Sequence, residues 1–153
     1  MNATSGKPAS ERLGEALRDF NFRSGRVFDR VLAGESVSAA RLRLLLFIEK
    51  HDGARSSDVA RVFGHSPRTV TEAIDGVERE GLIARVPDPQ DRRAKRLALT
   101  EAGRAAIAAA APRLQHFKQR LFSALSVEEQ ERLADLLTRL NERLNGIEEE
   151  LEG

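Results

Sequence analysis

Hydroxyl, guanidinium and carboxylate side chains follow one another in a short run at 66–72. Such groups can bind base edges in the major groove of DNA and phosphate oxygens along its backbone. Ser66 can cap a helix and Pro67 suits its first position, so the run would begin a helix predicted over 66–80. The candidate DNA contacts in this helix are Ser66, Arg68, Thr69, Thr71 and Glu72.

Two of these residues have more than one possible role. Arg68 could pair with a guanine or hold a phosphate, and Glu72 could accept a hydrogen bond from a cytosine amino group. Glu72 could equally form a local ion pair with Arg68 or Arg79 on the same helix. Both interpretations of Glu72 stay open at this point.

A second basic cluster lies between two strand-like runs at 82–86 and 95–99. The prolines and aspartates of 87–94 favour turns, so the three segments predict a hairpin. Asp91 is expected to brace an arginine rather than to contact DNA. The candidate DNA contacts of the hairpin are Arg92, Arg93 and Lys95. The alternative is an ordinary hairpin whose cations are merely solvated.

The elements around these clusters predict a winged helix. A helix that begins at the cap Ser38 and runs to about His51, and a short helix capped by Ser56 or Ser57, precede the helix over 66–80. Ala60, Gly64 and Val70 then have the spacing of a helix-turn-helix, in which a small residue allows a close crossing and a glycine turns the chain. The hairpin that follows would be the wing.

Long amphipathic helices flank this core. One is predicted over 11–33, another from the cap Thr100 onward, and a last one after the capping box at 126–129. The first and last carry leucine-rich seams at heptad spacing, which favour packing along a partner helix. The candidate dimerisation residues are Leu13, Leu17, Phe20, Leu133, Leu137, Leu140, Leu144 and Ile147. Packing within a single chain is the alternative.

The predicted fold is therefore mainly α: a winged helix-turn-helix, with a three-helix core and a two-stranded β wing, between long N- and C-terminal dimerisation helices. Residues 1–10 are expected to be a flexible N-terminus. Residues 36–100 would form the winged-helix DNA-binding domain, and 11–35 with 101–153 the helical dimerisation region.

The amino-acid composition excludes several kinds of site, and the charge distribution favours one kind of ligand. The chain lacks cysteine, which excludes a disulfide framework, a thiolate metal site and a cysteine nucleophile. Residues 1–125 carry 22 Lys and Arg against 15 Asp and Glu, whereas 126–153 carry 3 against 9. A basic segment followed by an acidic final helix is typical of a protein that binds a polyphosphate such as nucleic acid through one surface only. Without an apolar span or a signal peptide, the expected location is the cytoplasm.

The chain resembles the MarR family of bacterial transcription regulators. The resemblance lies in 38–48, 58–60 and 69–71, and most specifically in 80–85 and in 91–93 continued through 97–100. It extends from about residue 11 to about residue 147. Glu72 departs from it, because the family often carries a basic or amide residue there.

The resemblance implies a homodimer, joined by the first, fifth and sixth helices, that acts as a repressor on a near-palindromic operator. It also implies that Arg93 enters the minor groove. A small aromatic acid or phenol, bound in a pocket between the dimer helices and the DNA-binding core, would release the protein from DNA. Its candidate lining is Phe20, Phe28, Phe47 and His51; plain core packing is the alternative for each. No cofactor and no metal are expected.

Two other classes of protein are alternatives to a DNA-binding regulator. An enzyme is not expected, because His51, His65 and His116 are scattered and lack catalytic or metal-ligand spacing. A winged helix that binds proteins and dimerises without specific DNA binding is the second rival. Four wing cations together argue against it: Arg92, Arg93, Lys95 and Arg96.

Overall fold

Six helices and a two-stranded antiparallel sheet make up the residues that the computed structural model describes, 6–34 and 37–152. This confirms the predicted fold class. In chain order the elements are α1 (Ala9–Val31), α2 (Ala39–Lys50), α3 (Ser56–Phe63), α4 (Pro67–Arg79), β1 (Ile83–Pro87), β2 (Lys95–Leu99), α5 (Glu101–Phe122) and α6 (Val127–Glu152).

Side-chain caps fix the starts of most helices where the sequence predicts them. The Ser38 and Ser66 side chains accept the backbone N–H groups of Arg41 and Thr69, at the starts of α2 and α4. Thr100 accepts from the Gly103 N–H at 3.0 Å. Before α6, Ser126 and Glu129 form the predicted capping box, with each side chain accepting the other residue's N–H.

Two predicted helix starts are wrong. Arg55, rather than Ser56 or Ser57, is the N-cap residue of α3, and Asp58 accepts the Arg55 N–H at 2.8 Å. The first helix begins at Ala9, after Pro8, rather than at residue 11. Of the segment 1–10 predicted to be flexible, Ala9 and Ser10 are therefore helical, and residues 1–5 lie outside the described residues.

The core of the winged helix lies between α2, α4 and the wing. Its most deeply buried side chains are Leu42, Leu45, Ile74, Val77 and Ile83. The strands pair antiparallel from Ile83↔Leu99 to Pro87↔Lys95. Burial of one side of α4 leaves its other side free for contacts.

Two close approaches fix the wing on the core. The Leu97 N–H donates to the Ala54 carbonyl at 2.8 Å, which joins β2 to the α2–α3 loop. At the other end, a Cβ on Gly103 would lie 2.0 Å from the Leu82 carbonyl oxygen, so only glycine allows α5 to start this close to the wing.

The chain divides by its contacts into two units, one ending at Leu114 and the other beginning at Gln115. In the first, Leu32 after α1 and Ala110 and Leu114 of α5 share one buried cluster with the winged helix. The sequence predicted a different grouping, with 36–100 as one part and 11–35 together with 101–153 as the other. Its boundary at 35–36 lies outside the described residues.

The second unit contains the end of α5 and the whole of α6. The Gln130 side chain donates to the Phe122 and Leu125 carbonyls at 3.0 and 3.1 Å and so closes the turn between the helices. Within the described part of the chain, every helix is too short or too polar to cross a lipid bilayer.

Candidate DNA-binding surface

The start of α4 is exposed and is held rigidly by its cap. Ser66 is in extended conformation, Pro67 occupies the first helical position, and the Ser66 and Thr69 hydroxyls lie 2.9 Å apart. Thr71 donates its hydroxyl to the Pro67 carbonyl at 2.8 Å. Its methyl group and the remaining acceptor capacity of its oxygen stay free for a ligand.

Arg68 and Glu72 form an ion pair on the surface of α4. The Arg68 Nε lies 3.0 Å from the Glu72 Oε1, and the two side chains are 89% and 66% exposed. The local ion pair that the sequence allowed for Glu72 is therefore present in the free protein. The other side of the helix is anchored by Val70, Ile74 and Val77, which are buried.

An arginine of the wing braces α4. Arg85 donates to Asp75 and Glu78 through its guanidinium, and its backbone N–H donates to Glu78 at 3.2 Å. The hydrogen bond to Asp75, with the nearby charge of Glu78, raises the pKa of Arg85. Sequence reasoning missed this brace, although Asp75 and Glu78 lie three residues apart and so share a side of the helix.

A buried carboxylate anchors the start of the wing loop, next to the strand pair Pro87↔Lys95. The Asp88 side chain is completely buried; its Oδ2 lies 2.5 Å from the Arg55 Nη2 and 3.0 Å from the Arg96 Nε. The Gln90 N–H donates to its Oδ1 at 2.9 Å. These contacts, that of Arg96 above all and then those of the Gln90 N–H and Arg55, lower the pKa of Asp88 well below its ordinary value.

This anchor corrects two expectations. Asp88 was interpreted only as a turn residue, and Arg96 was counted among the free wing cations, whereas the two pair with each other. Asp91, which was expected to brace an arginine, accepts the backbone N–H of Arg93 at 3.0 Å.

Three cations remain free at the tip of the wing. Arg92, Arg93 and Lys95 are exposed, and none of their side chains forms an ion pair or a side-chain hydrogen bond with another described residue. Asp91 and the Ala94 N–H, which donates to the Asp91 carbonyl at 2.9 Å, shape the turn that presents them. The wing tip therefore combines a defined backbone with three unpaired positive charges.

The four residues predicted to line an effector pocket have different surroundings in this chain. Phe47 is buried, and His51 stacks on it with 4.3 Å between the ring centres. Phe28 lies under the guanidinium of Arg43 at 4.7 Å, and Phe20 is half exposed. None of the four borders the cavity of about 590 Å³ that the structure shows between α2, α3 and α4.

The apolar seams predicted for dimerisation are open to solvent. Leu13, Leu17 and Phe20 of α1 are between 42% and 52% exposed. In α6 the seam residues are Leu133, Leu137, Leu140, Leu144 and Ile147, between 36% and 54% exposed. Large apolar side chains that repeat along one side of a helix and are this exposed are typical of an interface with another chain.

A capped, half-buried helix that follows a short helix and precedes a cation-tipped hairpin defines the class of winged-helix regulators. Comparison with known proteins then shows which proteins this chain is similar to. The family model described as the MarR family matches residues 36–94. A regulator of Bacillus subtilis, YdgJ, is 29% identical over 112 residues, which are 73% of this chain and 68% of that protein.

Solved structures agree with this assignment. A DNA complex of S. aureus MepR superimposes with a TM-score of 0.70 at 27% identity, over 84% of this chain and 94% of that one. The structure of Bordetella bronchiseptica BpsR, whose DNA binding is regulated by 6-hydroxynicotinic acid, superimposes with a TM-score of 0.71. It is 25% identical and covers 85% of this chain and 98% of that one. Residues 36–94 of this chain therefore match the MarR family model, and the chain is similar to transcription regulators of that family.

Proposed function

We propose that this protein is a transcriptional repressor that binds a near-palindromic DNA operator as a homodimer. The observation that carries the proposal is the pairing of an exposed, capped helix start on α4 with three free cations at the wing tip. A helix of this kind fits the major groove, and a basic hairpin beside it reaches the flanking backbone or minor groove. The relative MepR forms a DNA complex with the same fold.

Each candidate residue has a role that follows from its surroundings. Arg68 and Thr71 meet bases or phosphates in the major groove, while Ser66 and Thr69 hold the helix start that carries them. Arg93 enters the minor groove, and Arg92 and Lys95 bind phosphates. Glu72 either accepts from a cytosine amino group or keeps Arg68 in place.

The dimer follows from the exposed seams of α1 and α6. A twofold dimer places two copies of α4 about 34 Å apart, in successive major grooves of one duplex. Bound in this way at a promoter, the dimer would obstruct the polymerase. A small-molecule effector completes the proposal, and BpsR is a relative whose DNA binding is regulated by such a molecule.

Duplex binding at several salt concentrations tests the proposal. Fragments selected from the source genome would be labelled, and the binding constant measured by fluorescence anisotropy. Each phosphate neutralised contributes about 0.9 to the slope of log K against log salt, so Arg93→Ala should reduce the slope by roughly one unit. Arg12→Ala, which removes an exposed arginine of α1, is the matched control and should leave the slope unchanged.

Two results would contradict the proposal. One is an Arg93→Ala variant with the affinity and slope of the parent protein, which would remove Arg93 from the interface. The other is a dimer that ignores every duplex at low salt, which would favour the protein-binding winged helix instead.

A further inference from the structure

The cavity of about 590 Å³ borders α4 on the side next to α2 and α3. It exists because α4 presents small side chains there: Thr69, Ala73 and Gly76 recur at helical spacing along its wall. A Cβ built on Gly76 meets no atom within 4 Å, so this part of the wall is open. The volume lies within the range of about 300–1,000 Å³ that small-molecule sites occupy.

The inner wall of this cavity is apolar. Leu44 of α2, Val59 and Phe63 of α3, and Val77 of α4 contribute to it. At one end the Phe63 and His65 rings lie nearly parallel, with their centres 6.4 Å apart. An apolar ligand that covers this wall removes it from water, which favours binding by about 25 cal/mol for each Å² of apolar surface buried.

The charged side chains at the cavity already have partners. The Arg41 Nη2 lies 2.5 Å from Glu80, the Arg43 Nη2 lies 3.1 Å from Asp29, and Glu72 pairs with Arg68. A charged ligand would lose hydration on entry without gaining a free counter-ion, which makes its binding unfavourable. The cavity therefore suits an uncharged ligand better than an anion or a cation.

We propose that this cavity binds an uncharged, mostly apolar molecule of two or three rings, and that the bound molecule competes with DNA. Competition follows because Thr69 and Glu72 border the cavity and also lie in the candidate DNA-binding surface. This regulatory part rests on the proposed DNA binding, whereas ligand binding itself does not. A phenol is uncharged and therefore suits this cavity. An aromatic acid, the other class that the resemblance implies, carries a charge and does not.

A matched pair of fluorescent probes tests the site. N-phenyl-1-naphthylamine is uncharged, and 1-anilinonaphthalene-8-sulfonate carries the same rings with a sulfonate. We expect the uncharged probe to bind at least about ten-fold more tightly, because the sulfonate finds no free cation. Equal affinity, or tighter binding of the sulfonate, would overturn the assignment of the ligand class.

Two substitutions that fill the cavity locate the bound probe. Gly76→Leu and Ala73→Phe each place a large side chain in the open space, and should weaken binding of the uncharged probe at least about ten-fold. Gly76→Leu also raises helix propensity, so it keeps the test valid if Ala73→Phe fails to fold. Ala105→Leu, on an exposed alanine of α5, is the control and should bind the probe normally. Normal binding by both cavity variants would overturn the proposal.

A last measurement separates ligand binding from regulation. The uncharged probe should displace a labelled duplex from the parent protein but not from Gly76→Leu. If the probe binds the cavity and the duplex stays bound, the competition is overturned while the site stands. If no duplex binds even without the probe, the proposed function fails, and the probe affinities still decide whether the site exists.

Discussion

At the scale of single residues, Glu72 controls how much of the Arg68 charge is available on the surface of α4. Their ion pair is largely exposed, so it contributes at most about 1 kcal/mol to stability. Its effect on a polyanion is larger, because a carboxylate beside the guanidinium repels phosphate and occupies one of its donors. We therefore expect Glu72 to oppose indiscriminate DNA binding by the proposed surface.

The substitution Glu72→Gln should raise affinity for unrelated duplexes several-fold and steepen the salt slope, by up to about 0.9 if Arg68 gains one phosphate. Anisotropy titrations at two salt concentrations measure both quantities. Glu49→Gln, which neutralises an exposed carboxylate of α2, is the control for net charge. Equal behaviour of the two variants would show that Glu72 acts only through total charge.

Asp88 makes the stability of the fold sensitive to acid. Its pKa is lowered in the folded chain, so the unfolded chain binds a proton more readily. The stabilisation is complete above the unfolded pKa of about 4, and it is lost as the pH falls below that value toward the folded one. Asp88→Asn should therefore lower the urea midpoint at both pH values, and by more at pH 7 than at pH 3.

Urea unfolding at the two pH values measures this dependence. Asp135→Asn, on an exposed aspartate of α6, should leave the midpoint unchanged at both. A loss in Asp88→Asn that is as large at pH 3 as at pH 7 would mean that the asparagine fails to pack, and not that the charge is missing.

At the scale of elements, Arg85 makes the wing and α4 move together. It reaches Asp75 and Glu78 from β1, and its side chain is only 23% exposed. The wing and the start of α4 must meet the same duplex at once, so their relative position matters more for binding than either element alone.

Replacing Arg85 by alanine removes this brace and leaves two carboxylates facing each other. We expect a loss of about 1–3 kcal/mol in the free energy of unfolding, the cost of leaving partly buried charged groups without their donors. Duplex affinity should fall further than the folded fraction explains. Urea titration and anisotropy on the same samples test this, with Arg79→Ala, an exposed arginine of α4, as the control.

The elements also show where sequence reasoning succeeds. The caps at Ser38, Ser66 and Thr100 were predictable, because each bonds an N–H group three residues away. The Asp88–Arg55 contact joins residues 33 positions apart and depends on how the wing folds back onto α3. Nothing local distinguishes this aspartate from a turn residue, so its burial was missed.

The cavity between α2, α3 and α4 was not predicted, for a related reason. Aromatic residues in converging helices were predicted to line an effector pocket, whereas the rings of Phe47 and His51 stack on each other at the end of α2. The cavity arises instead from small side chains such as Ala73 and Gly76, which a search for bulky or charged groups passes over. A gap left by small residues becomes visible only when the neighbouring helices are in place.

At the scale of the whole molecule, the acidic final helix with its apolar seam and the cationic wing lie in different parts of the chain. The last 28 residues, 126–153, are strongly acidic and carry the exposed leucine seam, while the free cations lie on the wing. An acidic helix is repelled by DNA, so its exposed leucines are expected to contact protein, and the heptad seam suits the helices of the proposed second copy. The proposed dimer and the proposed DNA surface then use different parts of the chain.

Leu137→Glu tests this division, because it places a charge in the middle of the seam without touching the winged helix. Sedimentation should show a shift from dimer to monomer, since burying an unpaired carboxylate costs several kcal/mol. Duplex affinity should fall at least about ten-fold, because one chain holds only one half-site. Asn145→Glu adds the same charge to an exposed position of α6 outside the seam and should remain dimeric. If the Leu137→Glu monomer binds a two-site duplex as tightly as the parent, each chain must bind DNA independently, and the spacing of the operator would then have no role in recognition.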